Sequence, residues 1–493
     1  MSLIYIVVPC LLLVVVLAAV WLDRWSVPII LVALGAGIAF GSDVLGLVDF
    51  GNMKLSNEIA NLALVFILFN GGFGTKKEDL RMVALPAGGL ATWGVVLTAA
   101  ATFGVLRFAL GWELQKALLI SVIISSTDAA ATFSILRRQS LPKRLSATVE
   151  VESAANDPMA ILLTLIAVEA FSTGTARPAM VALTFVWKFA VGPVIGFLIA
   201  KAALWLFNRL SPQDRGYYYI LFLSVVLLTY GLAEAAKASG MLAVFTAGFV
   251  MGSKSFVHKQ GVTNFSSAIA TIANIGMFVL LGLLVFPREW KAIWLDGVVL
   301  FLVLAFLARP AAVWLGTLGM KLPWREKTFI SWAGLRGAVP IVLATYPAAA
   351  GLSGGNDIFN LVFFAVLLSV SIQGSTLGLV AKWLGLSTPS RPQALYNLEL
   401  ITMAASDLDL IVVDLPDPQG VPGPRVRDLK LPKGAVITLV TRGKEVVAPN
   451  GNTILRGWDQ VTVLAHAQEG DLVRDALLRP FDIWEKPSPR SQG

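Results

Sequence analysis

Long apolar runs follow one another along the first 386 residues, separated by short polar loops. A helix needs about 20 apolar residues to cross the hydrocarbon of a bilayer, which is roughly 30 Å thick. Such runs lie at about 3–22, 27–41, 57–74, 83–108, 115–136, 147–171, 179–207, 217–236, 240–256, 265–286, 292–316, 327–350 and 357–385. The pattern therefore predicts an all-α polytopic membrane protein with about thirteen transmembrane helices.

The pattern changes after Leu386, where the Pro- and Ser-rich stretch 387–392 is typical of a linker. Beyond it, short apolar runs bounded by turn residues predict strands at 408–413, 435–440, 446–448 and 460–465, and a helix at 469–478. We therefore predict three parts, a transmembrane domain at 1–386, a small cytoplasmic α/β domain at 395–480 and a disordered tail at 481–493.

The composition excludes a soluble globular protein. Hydrophobic residues make up 56% of the chain and charged residues only 14%, whereas charged residues average about 25% in soluble domains. The net charge is +8, but no nucleic-acid partner is expected, because the basic residues are concentrated in alternate loops. Basic loops face the cytoplasm. We therefore expect a bacterial plasma (inner) membrane protein, in contact with lipid, with its N-terminus outside and its C-terminus in the cytoplasm.

Glu152 and Asp157 lie within an otherwise apolar run. A carboxylate near the bilayer centre costs roughly 2.5–3.5 kcal/mol on insertion scales, so such a residue usually belongs to an ion or proton site. On a helix, Ser153, Asn156 and Asp157 share one face, and Pro158 deprives the carbonyl four residues earlier of its hydrogen bond. These oxygens suit a monovalent cation. The alternative is a turn at Pro158 between two shorter helices.

A second intramembrane acid, Asp128, follows the hydroxyl residues Ser125, Ser126 and Thr127 and precedes small residues at 129–131. Interrupted helices whose ends meet near the membrane midplane build transporter sites in this way. We therefore expect Thr127 and Asp128 to lie near Asp157, with the cation held by Asp157, Asp128 and Ser153. The alternative is that Asp128 caps a helix at the membrane interface.

The third polar element is Arg336, which stands between Gly334 and Gly337 and shortly before Pro340. These neighbours weaken the helix and expose its backbone. A buried arginine needs a partner, and Glu152 is the expected one. The alternative is that Arg336 lies near the interface and extends its charge to water. A further intramembrane arginine, Arg309, is interpreted as structural.

A single buried carboxylate can hold either a proton or a cation, so we expect the two to compete for Asp157. Alternating access then exchanges one for the other. Because Asn156 stands beside Asp157 in place of a second acid, exchange is expected to be electroneutral and one for one. K⁺, Na⁺ and Li⁺ are all held by oxygens, and these residues do not discriminate between them. No resident cofactor or divalent metal site is expected.

Three short motifs resemble the monovalent cation:proton antiporter family 1, in its NhaP-type branch. They are Thr127-Asp128, Glu152-Ser153 with Asn156-Asp157-Pro158, and Gly334-Leu335-Arg336-Gly337. The resemblance covers about residues 1–385. It implies a homodimer with a dimer domain and a core domain, built from inverted repeats with two crossed, interrupted helices.

The same resemblance implies roles for individual residues. Those that match Asp157, Asp128, Ser153, Glu152 and Thr127 surround the ion in that family, and the residue that matches Arg336 pairs with the one that matches Glu152. One position departs from the pattern, because Asn70 stands where the family often carries an acid.

The segment 409–467 resembles the TrkA-C domain of potassium-regulatory modules. The matching residues include Pro424-Arg425-Val426-Arg427-Asp428-Leu429 and Gly457-Trp458-Asp459-Gln460-Val461. This resemblance implies regulation by the cytoplasmic domain and favours K⁺ over Na⁺ as the substrate. It also suggests a nucleotide as the regulatory ligand, although no glycine-rich nucleotide fingerprint precedes the domain.

Three other classes of protein are weighed against an antiporter. A potassium channel would need a Thr-Val-Gly-Tyr-Gly filter and far fewer spans. An intramembrane aspartyl protease could use Asp128 and Asp157, but it would leave Asn156 and Arg336 unexplained. A sensor that transports nothing remains open. We therefore expect a transporter rather than an enzyme.

Overall fold

The computed structural model describes most of the chain. The described residues are 4–22, 29–48, 50–75, 77–128, 132, 141–173, 178–210, 214, 216–387, 408–416, 423–443, 445–466 and 469–482. The small-residue stretch 129–131, the predicted linker from residue 388 onward and the predicted tail from residue 483 onward lie outside them.

Helices make up nearly all of the predicted transmembrane part. They are α1 Ile4–Leu22, α2 Ile29–Phe40, α3 Met53–Gly74, α4 Lys77–Gly89, α5 Val95–Gly104, α6 Leu114–Ile123, α7 Lys143–Thr173, α8 Pro178–Arg209, α9 Gly216–Ala235, α10 Gly240–Gly252, α11 Lys259–Leu283, α12 Trp290–Leu302, α13 Arg309–Gly316, α14 Trp324–Ala333, α15 Ala338–Ala349, α16 Gly355–Leu368 and α17 Ser375–Trp383. The C-terminal domain adds strands β1 Leu408–Asp414, β2 Val436–Arg442, β3 Glu445–Val447 and β4 Gln460–His466, and helix α18 Gly470–Asp482.

The prediction of a polytopic helical membrane protein is confirmed. In the described part of the chain, eight helices are long and apolar enough to cross a membrane, and the bent pair α14–α15 raises the number to nine. Four shorter apolar helices, Ile6–Leu22, Ile29–Phe40, Leu114–Ile123 and Gly240–Gly252, coincide with four further predicted runs. Every predicted run is thus helical over part of its length, but a count of thirteen complete crossings is not confirmed.

Two compact units are distinguished by their internal contacts. The first comprises residues 1–201, 223–253 and 266–388, and it contains all the candidate site residues. The second comprises 202–222, 254–265 and 389–493, and it contains the small sheet domain.

Close helix packing in the first unit depends on glycine. A Cβ atom at Gly248 of α10 would lie 2.3 Å from the carbonyl oxygen of Phe69 in α3, and one at Gly72 would lie 2.3 Å from that of Phe245. Small residues allow such close backbone contact in a membrane, where van der Waals packing drives helix association. Helix α3 is therefore packed chiefly against α10, whereas α15 packs chiefly against α16.

Among the described residues, π-helical turns interrupt long helices at Leu90–Gly94, Val303–Ala308 and Ser369–Gly374, and another, Val105–Ala109, ends the helix that contains α5. Such turns redirect side chains and often accompany functional sites. The turn at Val303–Ala308 ends immediately before Arg309, and the turn at Ser369–Gly374 carries Ser369 and Gln373. These two π-helical turns therefore help to set the positions of Arg309, Ser369 and Gln373, which contact residues of the candidate site.

The C-terminal domain is an antiparallel sheet in the order β1-β4-β2-β3, with α18 packed against β1 and β4. Strands β1, β2, β3 and β4 lie where the sequence predicts them. Helix α18 extends to Asp482, so the disordered tail predicted at 481–493 is wrong for its first two residues, because Phe481 is buried in the core. The core is formed by Val440, Val461 and Val463 on the sheet and by Val473 and Leu477 on the helix. The C-terminal domain therefore folds around an apolar core of its own.

An ion pair between a buried aspartate and a partly exposed arginine supports the turn before β4. Asp459 is fully buried and accepts hydrogen bonds from Arg442 Nε at 2.8 Å and Arg442 Nη2 at 2.7 Å. These bonds to Asp459 raise the pKa of the Arg442 guanidinium. The bidentate geometry holds β2 against the turn.

Candidate functional site

Two interrupted helices meet in the first unit. Helix α6 ends at Ile123 and the chain continues through a turn at 124–125 and a non-helical stretch to Asp128, while α14 and α15 are separated by 334–337 and bent by 47°. The backbone N–H of Asp128 donates to the carbonyl of Leu335 at 2.8 Å. The two breaks therefore provide hydrogen-bond partners for each other's backbone groups. Non-helical backbone within a membrane needs such partners, because no water is available there.

Arg336, in the second break, is hydrogen-bonded to the backbone of the first break. Its Nη1 donates to the carbonyls of Ser125 at 2.8 Å and Ser126 at 2.5 Å, and its backbone N–H donates to Ser369 Oγ at 3.2 Å. Ser369 Oγ in turn donates to Gln373 Oε1 at 2.6 Å. Arg336 is buried, so the alternative in which its charge extends to water is excluded. Its guanidinium binds carbonyls that the end of α6 leaves without helical partners.

Helix α7 provides the third wall and runs unbroken through Pro158. The alternative of a turn between two shorter helices is therefore excluded. Asn156 Nδ2 donates to Thr127 Oγ1 at 2.6 Å, and Thr127 N–H donates to Asn156 Oδ1 at 3.4 Å. Ser153 Oγ donates to the Thr127 carbonyl at 2.7 Å. Both ends of the Asn156 amide thus hold Thr127 in place.

Asp128 and Asp157 lie near one another at this crossing. Their carboxylates interact electrostatically, and Asp128 Oδ2 also accepts from Ala338 N–H, at the start of α15, at 3.4 Å. The Ser126 hydroxyl lies beside the Asp157 carboxyl and interacts with it, but neither Asp157 Oδ1 nor Ser126 Oγ makes a hydrogen bond of good geometry among the described residues. Unpaired buried oxygens are costly, and a bound cation or proton would satisfy them.

The structure pairs Glu152 with Arg309, where the sequence led us to expect Arg336. Arg309 Nη2 lies 2.6 Å from Glu152 Oε1, and both side chains are almost completely buried. Gly334 makes room for this arrangement, because a Cβ there would lie 2.4 Å from Arg309 Nε. Arg336 donates to the carbonyls of the first break, but it also interacts electrostatically with Glu152. Arg309 therefore makes the closer contact with Glu152, and the expected pairing of Glu152 with Arg336 stays a prediction.

Sequence reasoning missed three residues that support the site. Arg309 was noticed but not linked to Glu152, which lies 157 positions earlier in the chain. Ser369 and Gln373 were not singled out, although two polar residues four positions apart in an apolar run are a usable signal. Asn70, the residue that departs from the family pattern, accepts a hydrogen bond from Ser266 Oγ at 3.1 Å and lies outside this group.

Gly337 cannot carry a side chain without moving Asp128. A Cβ at Gly337 would lie 1.7 Å from Asp128 Oδ2, far inside any van der Waals contact. We expect Gly337→Ala to displace the Asp128 carboxylate and lower the apparent cation affinity at least tenfold. Gly276→Ala, in α11 with open space at its Cβ, is the matched control. Cation titration of the purified variants measures the effect, and an unchanged affinity in Gly337→Ala would show that Asp128 is not positioned by this contact.

Comparison with known families matches most of the chain. The family model for the transmembrane sodium/hydrogen exchanger matches residues 11–383, and the model for the TrkA-C domain matches residues 410–478. The first match includes every candidate site residue.

Individual relatives agree with these models. The K⁺/H⁺ antiporter NhaP2 of Shewanella sp. (strain ANA-3) is 36% identical over 94% of this chain and 81% of its own length. The K⁺/H⁺ antiporter NhaP of Alkalimonas amylolytica is 32% identical over 93% of this chain and 80% of its own. The Na⁺/H⁺ antiporter ApNhaP of Aphanothece halophytica is 28% identical, over 83% and 78%.

A solved structure shares the transmembrane fold. The sodium proton antiporter MjNhaP1 of Methanocaldococcus jannaschii aligns with a TM-score of 0.68 and 22% identity, covering 78% of this chain and 99% of its own. At that identity the likeness concerns the fold alone.

Proposed function

Because the chain belongs to the sodium/hydrogen exchanger family, we propose that it exchanges a monovalent cation for a proton across the membrane, with Asp157 as the group that binds both. The observation that carries this proposal is the buried Asp157 oxygen, which makes no well-formed hydrogen bond among the described residues and interacts electrostatically with Asp128 where two interrupted helices cross. Ser126 adds a hydroxyl oxygen beside it, and Thr127 and Ser153, which are hydrogen-bonded to each other on the same two elements, would supply further oxygens. Oxygen ligands of this kind suit an alkali cation.

Competition at one carboxylate couples the two fluxes. When Asp157 is protonated it has no charge to offer a cation, and when it holds a cation it has no place for a proton. Reorientation of the loaded site between the two membrane faces then exchanges one for the other. Asn156 contributes by holding Thr127, and Arg309 contributes by neutralising Glu152. Neither Asn156 nor Glu152 therefore needs to take up a proton.

The charges around the site support electroneutral exchange. Glu152, Asp128 and Asp157 are three carboxylates, and Arg309 and Arg336 are two guanidinium groups. Fully ionised, the group carries one net negative charge, and either one cation or one proton brings it to zero. The loaded forms would then cross without net charge, while the empty form would pay the cost of an uncompensated charge in low dielectric.

We favour K⁺ as the cation, with Na⁺ as the alternative. Relatives at 36% and 32% identity are named K⁺/H⁺ antiporters, whereas a relative at 28% identity is named a Na⁺/H⁺ antiporter. The TrkA-C match points in the same direction. We further propose that this C-terminal domain regulates exchange from the cytoplasm and that the chain works as a homodimer in the inner membrane, with its N-terminus outside.

The test of the function is cation-dependent proton movement in proteoliposomes. Adding K⁺ to vesicles acidified inside should dequench a trapped pH dye, and Na⁺, titrated separately, should act only at higher concentration. A response to Na⁺ alone would overturn the K⁺ preference but keep the mechanism. With no response to either ion, deletion of the residues after Ser390 would decide between inhibition by the C-terminal domain and absence of exchange.

Electroneutrality has its own measurement. On a solid-supported membrane, a K⁺ or proton gradient should produce no steady transport current, although the same vesicles show dye dequenching. The physical reason is that both loaded forms of the site carry the same net charge. A current that scales with protein density, or flux driven by membrane potential alone, would contradict one-for-one exchange.

A further inference from the structure

A chain of hydrogen bonds joins α3 to α15 away from the aspartates. Tyr346 OH donates to Asn61 Oδ1, and Asn61 Nδ2 donates to Asn57 Oδ1 at 3.0 Å. Asn57 Nδ2 donates to Thr345 Oγ1 at 2.9 Å, and Thr345 Oγ1 donates to the Val342 carbonyl at 2.7 Å. We name the four side chains of Asn57, Asn61, Thr345 and Tyr346 the polar clasp.

The clasp lies between the candidate site and one membrane face. Helix α15 begins at Ala338, whose N–H meets Asp128, and Thr345 lies about two turns further along, roughly 10 Å away. Asn57 and Asn61 lie one turn apart in the first half of α3. The end of the bundle that holds Met53 and Ala349 is the outer end in the orientation that the loop charges predict.

The clasp forms the polar part of the contact between α3 and α15, which pack directly on each other but have different main neighbours. Helix α3 is packed closely on α10 through Gly72 and Gly248, whereas α15 packs on α16 and carries the Ala338 contact to the ion site. Movement of the ion site relative to α3 at this end must therefore separate Asn57 and Asn61 from Thr345 and Tyr346.

We propose that the polar clasp is a gate that holds the outer end of the transport pathway closed, and that it must break before Asp157 and Asp128 become accessible from that side. The proposal rests on the proposed exchange function, because alternating access requires such a separation. It assigns a role to four residues that the exchange chemistry itself does not use.

The chemistry of the clasp suits a gate that opens repeatedly. Its amide and hydroxyl groups are uncharged, so they neither repel the incoming cation nor hold it as a carboxylate would. When closed, they satisfy one another in a poorly hydrated region. When open, entering water can replace each lost hydrogen bond, so the free-energy difference between the states stays moderate.

The test uses a reporter thiol behind the clasp. The sequence has a single cysteine, Cys10, so Cys10→Ser with Val65→Cys gives one thiol at a buried position of α3, one turn deeper than Asn61 on the same face. A membrane-impermeant maleimide is added from the outer side. Tyr346→Phe should increase the labelling rate about 2- to 10-fold, because it removes one hydrogen bond of the closed state.

A second variant and a control keep the result specific. Thr345→Val removes a different hydroxyl of the clasp at nearly constant shape and should change labelling in the same direction. Tyr217→Phe, at an exposed position outside the clasp, should leave the rate unchanged. Unchanged rates in both clasp variants would overturn the gate, and so would an increase seen only when the reagent is added from the opposite side.

The same experiment separates the gate from the exchange function. If the chain exchanges ions, labelling of Val65→Cys in the parent protein should respond to K⁺ or to pH. A parent whose labelling ignores K⁺, Na⁺ and pH would contradict alternating access itself. A parent that responds, with clasp variants that label at the parental rate, would contradict only the gate.

Discussion

Replacing Asp157 by asparagine is expected to abolish exchange while the protein still folds and inserts. The amide has nearly the shape of the carboxylate, but it can neither take up a proton at physiological pH nor neutralise a cation. Dye dequenching in proteoliposomes should therefore fall to the level of empty vesicles for both K⁺ and Na⁺. Size-exclusion elution and melting temperature in detergent should stay close to those of the parent.

The matched control for this substitution is Asp357→Asn. Asp357 lies exposed in the first turn of α16. Its replacement makes the same chemical change at a position away from the two interrupted helices and Asp157. Exchange in this control should be unaffected. Retained exchange in Asp157→Asn would refute the assignment of Asp157, and loss of exchange in both variants would point to a general effect of charge removal.

Replacing Arg309 by methionine is expected to destabilise the protein by about 3–5 kcal/mol, because it removes the ion-pair partner closest to the buried Glu152 carboxylate. Replacing both members, as Glu152→Gln with Arg309→Met, removes the pair without an orphan charge and should recover most of that loss. Melting temperatures are measured in detergent for the parent, the two single variants and the double variant. Together they form a double-mutant cycle, which gives the coupling free energy between Glu152 and Arg309.

The control for Arg309 is an exposed arginine in a comparable pair. Arg288 is 81% exposed and lies 3.6 Å from Asp43, so Arg288→Met should cost less than about 1 kcal/mol. If Arg309→Met melts like the parent, Glu152 is not held as an ion in the folded protein. The same cycle can be measured with Arg336→Met in place of Arg309→Met. If Glu152→Gln shows a coupling free energy with Arg336→Met and none with Arg309→Met, the pairing expected from the sequence is the correct one.

The local part of the site could be predicted from the sequence because helical spacing determines which side chains share a face. Ser153, Asn156 and Asp157 are close in sequence, and the polar run that ends at Asp128 is conspicuous in an apolar helix. Their meeting with Thr127 follows from the cost of burying polar groups without partners. The strands of the C-terminal domain were equally readable, since short alternating runs between turn residues indicate strands directly.

The partners of the buried charges could not be predicted in the same way. Glu152, Arg309 and Arg336 lie far apart in sequence, and either arginine satisfies the rule that a buried carboxylate needs a cation. The choice depends on Gly334, whose missing side chain admits the Arg309 guanidinium, and on the carbonyls of Ser125 and Ser126, which occupy Arg336. Such choices follow from three-dimensional contacts that residue spacing does not encode.

The tie between Arg336 and the first break has a consequence for the energetics of ion binding. The carbonyls of Ser125 and Ser126 are bound by the protein itself, and Thr127 is held by Asn156 and Ser153. The site is therefore preorganised, because the entropy of ordering it is lost during folding and not during each transport cycle. The site therefore keeps its conformation when the ion leaves. Ion binding should be accompanied by little change in heat capacity or in amide hydrogen exchange around α6.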